Sequence, residues 1–320
     1  MTKLTPQELA AGRNVMKQCL AVKAGESVLI VTDPARTDLA GIFESTAKEF
    51  TDSVELISFT GQTENAQEPP EDVAKEMTEA DVVLLVTTYS LSHTQARKKA
   101  CLAGARIASL PGITLDMIAR TLTIDYQTVA DLSNQVARAL TKGNRVKIIS
   151  PGGTKLNLSI AGRRGIADTG QFTQPGDFGN LPAGEGFIAP VEKSVNGVIV
   201  FDGAFADIEL DSPIKLEIKN GRAVKISGGR AAAALNRLIK QIGPKAERIG
   251  EFGIGTNAAA QLSPEVLEAE KVYGTAHLAL GNNVGFGGKI NVPFHSDGII
   301  LKPTVTIDGR VIVRDNKIVI

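Results

Sequence analysis

SVLIVTDPARTDLAGIFESTAKEFTDSVELISF, residues 27–59, decides the fold of the first half of the chain. A short apolar run at 27–31 leads through Asp33 and Pro34 into a helical pattern over 36–50, and a second strand pattern follows at 54–59. A helix-length amphipathic stretch between two strand-length apolar runs specifies a strand, helix, strand unit. The alternation continues with a helix at 71–78, a buried strand at 81–87, a helix at 93–102, a strand at 105–110 and helices from 114 and 126, and another helix opens near Pro6. Strands and helices in strict turn predict an α/β N-terminal domain, with a parallel sheet and helices on both faces.

Domains of this kind often bind nucleotides through a glycine-rich turn after the first strand, but Thr32-Asp33-Pro34-Ala35 stands there and no later strand is followed by the fingerprint. No nucleotide site is expected. His93 falls near a helix N-terminus at the end of a strand, where it serves either the local structure or a pocket.

From Arg145 the pattern changes to short strands at 146–150, 155–160, 198–201, 214–218 and 223–227, with hairpin turns at 219–222, 307–310 and 314–317 and one long helix at 229–242. This predicts a mainly antiparallel α+β C-terminal domain over 145–320, after an α/β domain over 1–144.

Basic and acidic residues balance at 35 each, so no net field draws the chain to nucleic acid or an anionic membrane, and a small-molecule or peptide partner is expected. Cys19 and Cys101 lie far apart without metal-ligand spacing, which predicts free thiols in a cytoplasmic protein. The longest apolar runs have strand length, and no signal-peptide pattern is present.

Of three histidines, two fall within residues 277–297, as His277 and in His295-Ser296-Asp297. Singly, each could be a core histidine bonded to backbone. Together with Asp297, which shares a face with His295 on an extended segment, they form a donor set suited to Zn, Mn, Co or Fe(II). Two imidazoles and one carboxylate leave coordination positions open, so the C-terminal domain is expected to carry a catalytic metal site. Glu185 and Glu251 lie amid glycines and apolar residues, where a carboxylate needs a partner. That partner is either a metal or an arginine such as Arg163 or Arg164.

The stretches Asn-Leu-Pro-Ala-Gly-Glu at 180–185, Ile-Gly-Glu-Phe-Gly-Ile-Gly-Thr-Asn at 249–257, Thr-Ala-His-Leu-Ala-Leu-Gly at 275–281 and Pro-Phe-His-Ser-Asp-Gly at 293–298 resemble the aminopeptidase S/T family of dinuclear metallopeptidases. The resemblance implies two divalent ions (Zn, Co or Mn) held by Glu185, Glu251, His277, His295 and Asp297, with Glu251 doubling as general base. It also implies a homodimer, an N-terminal domain that helps enclose the pocket, and an aminopeptidase acting on short peptides. One position departs: the family's tyrosine seven residues after the third-motif histidine, expected to stabilise an oxyanion, is Val284 here, with Tyr273 and Asn283 as candidate substitutes.

A second reading comes from the same superfamily. Mononuclear Fe(II) ring-cleaving enzymes resembling 2,5-dihydroxypyridine dioxygenase use the equivalents of His277, His295 and Asp297 as a facial triad. Retention of both glutamates favours two metals, and loss of the tyrosine favours the oxygenase. A third reading is a non-catalytic binding protein with a decayed site, disfavoured because all five ligand-type residues persist.

Overall fold

Val82–Val86 is buried along its whole length, as a strand covered on both faces must be. The structure, a computed structural model, describes residues 4–206, 208–263 and 266–320. The chain divides into two compact units, one of residues up to Thr128 together with Gly170–Ala183, the other of Val129–Thr169 and Gly184–Ile320.

In the first unit five parallel strands lie in the order Val54–Ser58, Val28–Thr32, Val82–Val86, Arg106–Ser109, Phe178–Asn180. Leu29, Val31, Val83, Leu85 and Ile107 pack with Val73 and Met77 of the helix Glu71–Glu79 and with Ala96 and Ala100 of Gln95–Ala103. The alternate residues, Ile30 and Leu84 among them, point to the opposite face, where the helix Thr37–Ala47 buries Ile42 and Phe43. The expected parallel sheet with helices on both faces is therefore present. Helix starts are set locally: Thr5 and Glu8 form a capping box, and the Thr94 and Thr114 hydroxyls accept from Arg97 N and Met117 N.

The second unit is built on two antiparallel sheets. The larger has eight strands, and the smaller runs His295–Ile300, Ala276–Gly281, Ile249–Gly255, Glu185–Ile188, Ile166–Asp168. Their inner faces share one core, in which Ile148, Leu156, Phe201 and Leu216 of the larger sheet meet Ile188, Phe252, Leu278 and Ile300 of the smaller. Leu235 and Ile239 of the helix Arg230–Ile242 join the same core. The three hairpin turns expected from sequence all have positive φ at both central residues, Asn220-Gly221, Asp308-Gly309 and Asp315-Asn316, the backbone twist that two-residue hairpins require. Among the described residues no helix is long and apolar enough to cross a membrane.

Leu84→Ala, in the fully buried central strand, is expected to cost about 2–5 kcal/mol. Val224→Ala, half-exposed, is expected to stay within about 0.5 kcal/mol; denaturant unfolding of both variants measures the difference.

Candidate metal centre

The smaller sheet of the second unit gathers all five sequence-derived ligand candidates on one face. Glu251 and Asp297 flank Ala279 of the central strand from either side, His277 lies opposite Gly253 and Ile299, His295 opposite Gly281, and Glu185 opposite Gly255. A bulge makes this possible. Ile249 pairs with Leu280 and Glu251 with Ala279, so Gly250 is an extra residue that lets Ile249 enter the core while Glu251 turns to the other face. The glycines nearby serve close approach: a Cβ on Gly253 would come 2.1 Å from His277 Nε2, and one on Gly255 would meet Val272 O at 2.2 Å.

Glu185, Glu251, His277 and Asp297 are buried, whereas the His295 side chain is about one-third exposed, the open edge of the group. His277 Nε2 lies 2.8 Å from Glu185 Oε2 and 3.5 Å from Glu251 Oε1. His295 Nε2 lies 3.5 Å from Glu251 Oε2 and 3.3 Å from Asp297 Oδ2. Two trios whose ligand atoms lie within 4.8 Å of one another follow, Glu185 with Glu251 and His277, and Glu251 with His295 and Asp297. Glu251 is common to both. His295 Nδ1 donates to the carbonyl of Asn282 at 2.8 Å, a bond that selects the tautomer and turns Nε2 toward the carboxylates.

Both nitrogens of His277, Glu185 Oε2 and Asp297 Oδ1 are buried without a hydrogen-bond partner. Buried polar atoms are rarely left so, and imidazole nitrogens and carboxylate oxygens converging in this way fit a divalent cation. The electrostatics agree. Burial opposes charge on every member, yet Lys271 and His277 hold the Glu185 carboxyl down at about 2, and His295 holds Asp297 at about 2. Burial also works against protonating His277, but Glu185 and Glu251 outweigh it and raise its pKa well above the ordinary value; Asp297 and Glu251 raise that of His295. Burial pushes Glu251 up against the pull of His277. The carboxylates thus demand positive charge at the imidazole nitrogens, and a cation on those nitrogens meets the same demand.

Sequence reasoning missed the residues around Glu185. Its partner is neither of the expected arginines: Arg163 pairs with Glu192 at 2.5 Å, and Lys271 Nζ lies 2.5 Å from Glu185 Oε1. Lys271 also contacts Glu270 and Asp168. A lysine followed closely by an apolar strand was the available signal, but nothing in the pattern marks it as buried. The suggested oxyanion donors are engaged elsewhere. The Tyr273 hydroxyl accepts from Ile318 N at 3.4 Å, Asn283 bonds Gly250 O and Ile290 N, and Val284 is exposed. His93 lies in the first unit on an exposed turn.

Beside His295 stands an aromatic wall. The Phe286 ring meets His295 edge to face at 6.1 Å and Phe187 at 5.5 Å. The glycine-rich segment carrying Phe286 is tied down by Asn283, by Arg163 bonding Gly287 O, and by Glu192 accepting from Lys289 N.

The model of the family described as NicX, 2,5-dihydroxypyridine 5,6-dioxygenase, matches residues 8–320. A 2,5-dihydroxypyridine 5,6-dioxygenase of Pseudomonas putida is 25% identical over 252 residues, covering 74% of this chain and 71% of the relative. The structure of the 2,5-dihydroxypyridine dioxygenase from Pseudomonas putida KT2440 superposes with a TM-score of 0.83 at 20% identity over 99% of this chain and 98% of that one. Wild-type AmpT from Thermus thermophilus superposes with a TM-score of 0.72 at 16% identity, over 98% and 99%. The aminopeptidase resemblance thus holds for the fold. The expectation of a hydrolase, an aminopeptidase working in proteolysis, is corrected: the matching family is one of dioxygenases, which are oxidoreductases. The residues agree: valine at 284, where the aminopeptidase family has a tyrosine, offers no oxyanion donor, and the Asn283 amide is bonded to Gly250 O.

Gly253→Ala is expected to displace the His277 imidazole and lower metal affinity by roughly 10–100-fold, with the fold retained. Calorimetric titration with Zn(II), alongside circular dichroism, measures both.

Proposed function

We propose that this chain, which belongs to the family of 2,5-dihydroxypyridine 5,6-dioxygenases, opens the ring of a dihydroxylated pyridine with molecular oxygen, using one Fe(II) held by His277, His295 and Asp297. The observation that carries the proposal is the Glu251 carboxylate set between the two imidazoles, with one Nε2 3.5 Å from each of its oxygens and Asp297 3.3 Å from the second imidazole. Two imidazoles and one carboxylate are the donor set of mononuclear iron oxygenases, in which open positions remain for substrate and oxygen. Bound there, Fe(II) supplies the redox chemistry toward oxygen that no side chain offers. The pair of Zn, Co or Mn ions expected with the aminopeptidase resemblance has no support from the family match.

The protein's own share is binding and proton handling. His295 is oriented by the Asn282 carbonyl. Glu251, between the two imidazoles and not needed as a ligand by the triad, is placed to take a substrate hydroxyl proton on Oε2. Phe286 and Phe187 offer an apolar edge to a planar ring beside His295. The substrate is accordingly a small aromatic molecule, and 2,5-dihydroxypyridine, on which the Pseudomonas putida relative is named as acting, is the first compound to test.

Protein loaded anaerobically with Fe(II) and mixed with 2,5-dihydroxypyridine in aerated buffer is expected to consume oxygen in step with the loss of the aromatic absorbance. His277→Ala and Asp297→Ala are each expected to lower that rate by more than the roughly 10–100-fold typical of changes behind a metal ligand. No oxygen uptake by the loaded wild type with this or any other dihydroxypyridine would overturn the proposal.

A further inference from the structure

Lys271 is 1% exposed, and its ammonium lies 2.5 Å from Glu185 Oε1, 2.5 Å from Glu270 Oε1 and 3.4 Å from Asp168 Oδ2. Three carboxylate oxygens around one point are the environment a hard divalent cation takes, and the shorter separations are those of cation–oxygen bonds. An ammonium has three hydrogens for three acceptors and is a compact point charge. The other oxygen of Glu185, Oε2, is the one 2.8 Å from His277 Nε2. Glu185 therefore joins the lysine to the imidazoles.

The backbone holds Lys271 in place. Asn257 N donates to Lys271 O at 2.9 Å, and Tyr273 N donates to Asn257 O at 3.1 Å. The segment rests against Gly255, where an added Cβ would come 2.7 Å from the Lys271 carbonyl carbon and 2.8 Å from Glu270 O. That glycine is what admits a backbone so close to the sheet.

We infer that Lys271 is a positioning residue which occupies, as a fixed ammonium, the place of a second cation, so that Glu185 is committed to it and the centre takes one divalent ion. The two donor trios share Glu251. With Glu185 paired to Lys271, the first trio keeps a single uncommitted carboxylate, and a second divalent ion there would sit against the ammonium. The same five ligand-type residues that suggest a dinuclear hydrolase therefore support a mononuclear centre. This rests on the metal-site part of the proposed function but not on the reaction assigned to it.

The test is metal stoichiometry, read by calorimetry with Mn(II) and by elemental analysis after gel filtration. Wild type is expected to bind one equivalent, Lys271→Met two, and Lys271→Arg, which keeps the charge, one. The double variant Lys271→Met/Glu185→Gln is expected to return to one. Two equivalents in wild type, or one in a folded Lys271→Met chain, would overturn the inference; the wild-type titration decides even if that variant does not fold. No bound ion in wild type would instead overturn the metal site itself. One equivalent without oxygen chemistry would leave this inference standing and remove only the reaction.

Discussion

Carboxylates taken out of water must find positive charge, and that constraint shapes the second unit. Glu185, Glu251 and Asp297, with Asp168 and Glu270 beside them, are largely buried around Lys271, His277 and the half-open His295. Burying an unpaired charge costs several kcal/mol, so each group in the cluster persists because another compensates it. Burial, with the neighbouring carboxylates, pushes Glu270 up to about 8 and Asp168 to about 6 against the pull of Lys271. The carboxylates that face an imidazole, Glu185 beside His277 and Asp297 beside His295, stay ionised, which is the state a metal ligand needs.

The sheet meets this constraint through one strand. In Ile249–Gly255, Phe252 and Ile254 face the core while Glu251 faces the cluster. The three glycines of the strand differ in what they permit. Gly250 makes the bulge, Gly253 leaves room for the His277 ring, and Gly255 admits the backbone that carries Lys271. A side chain at either of the last two positions would displace a charged group, so packing and chemistry are set by the same residues.

Much of this was legible in the sequence. Alternating strand and helix periods in 27–110 specified the parallel sheet, because buried strands of that kind are continuous apolar runs. The glycine-flanked Glu251 and the pairing of His295 with Asp297 pointed to a cluster, and the structure brings these residues together. The strand Phe178–Asn180 escaped notice because three residues with a central glycine carry no periodicity, and its place beside Arg106–Ser109 depends on a return of the chain from far along the sequence. Lys271 escaped for a related reason: its burial follows from contacts with Asp168 and Glu185, distant in sequence. The reaction class was the hardest part. The same two imidazoles and three carboxylates suit hydrolysis or oxygen chemistry. The family match favours oxygen chemistry, and the other features that bear on the choice, a valine at 284 and an ammonium on Glu185, lie outside the donor set.

A metal centre in this cluster would have two imidazole ligands and one ion. X-ray absorption at the iron edge of the Fe(II)-loaded chain tests it most directly. Scattering from two imidazoles and from oxygen ligands, with no metal neighbour, is expected; a second metal scatterer, or a spectrum without imidazole scattering, would rule such a centre out.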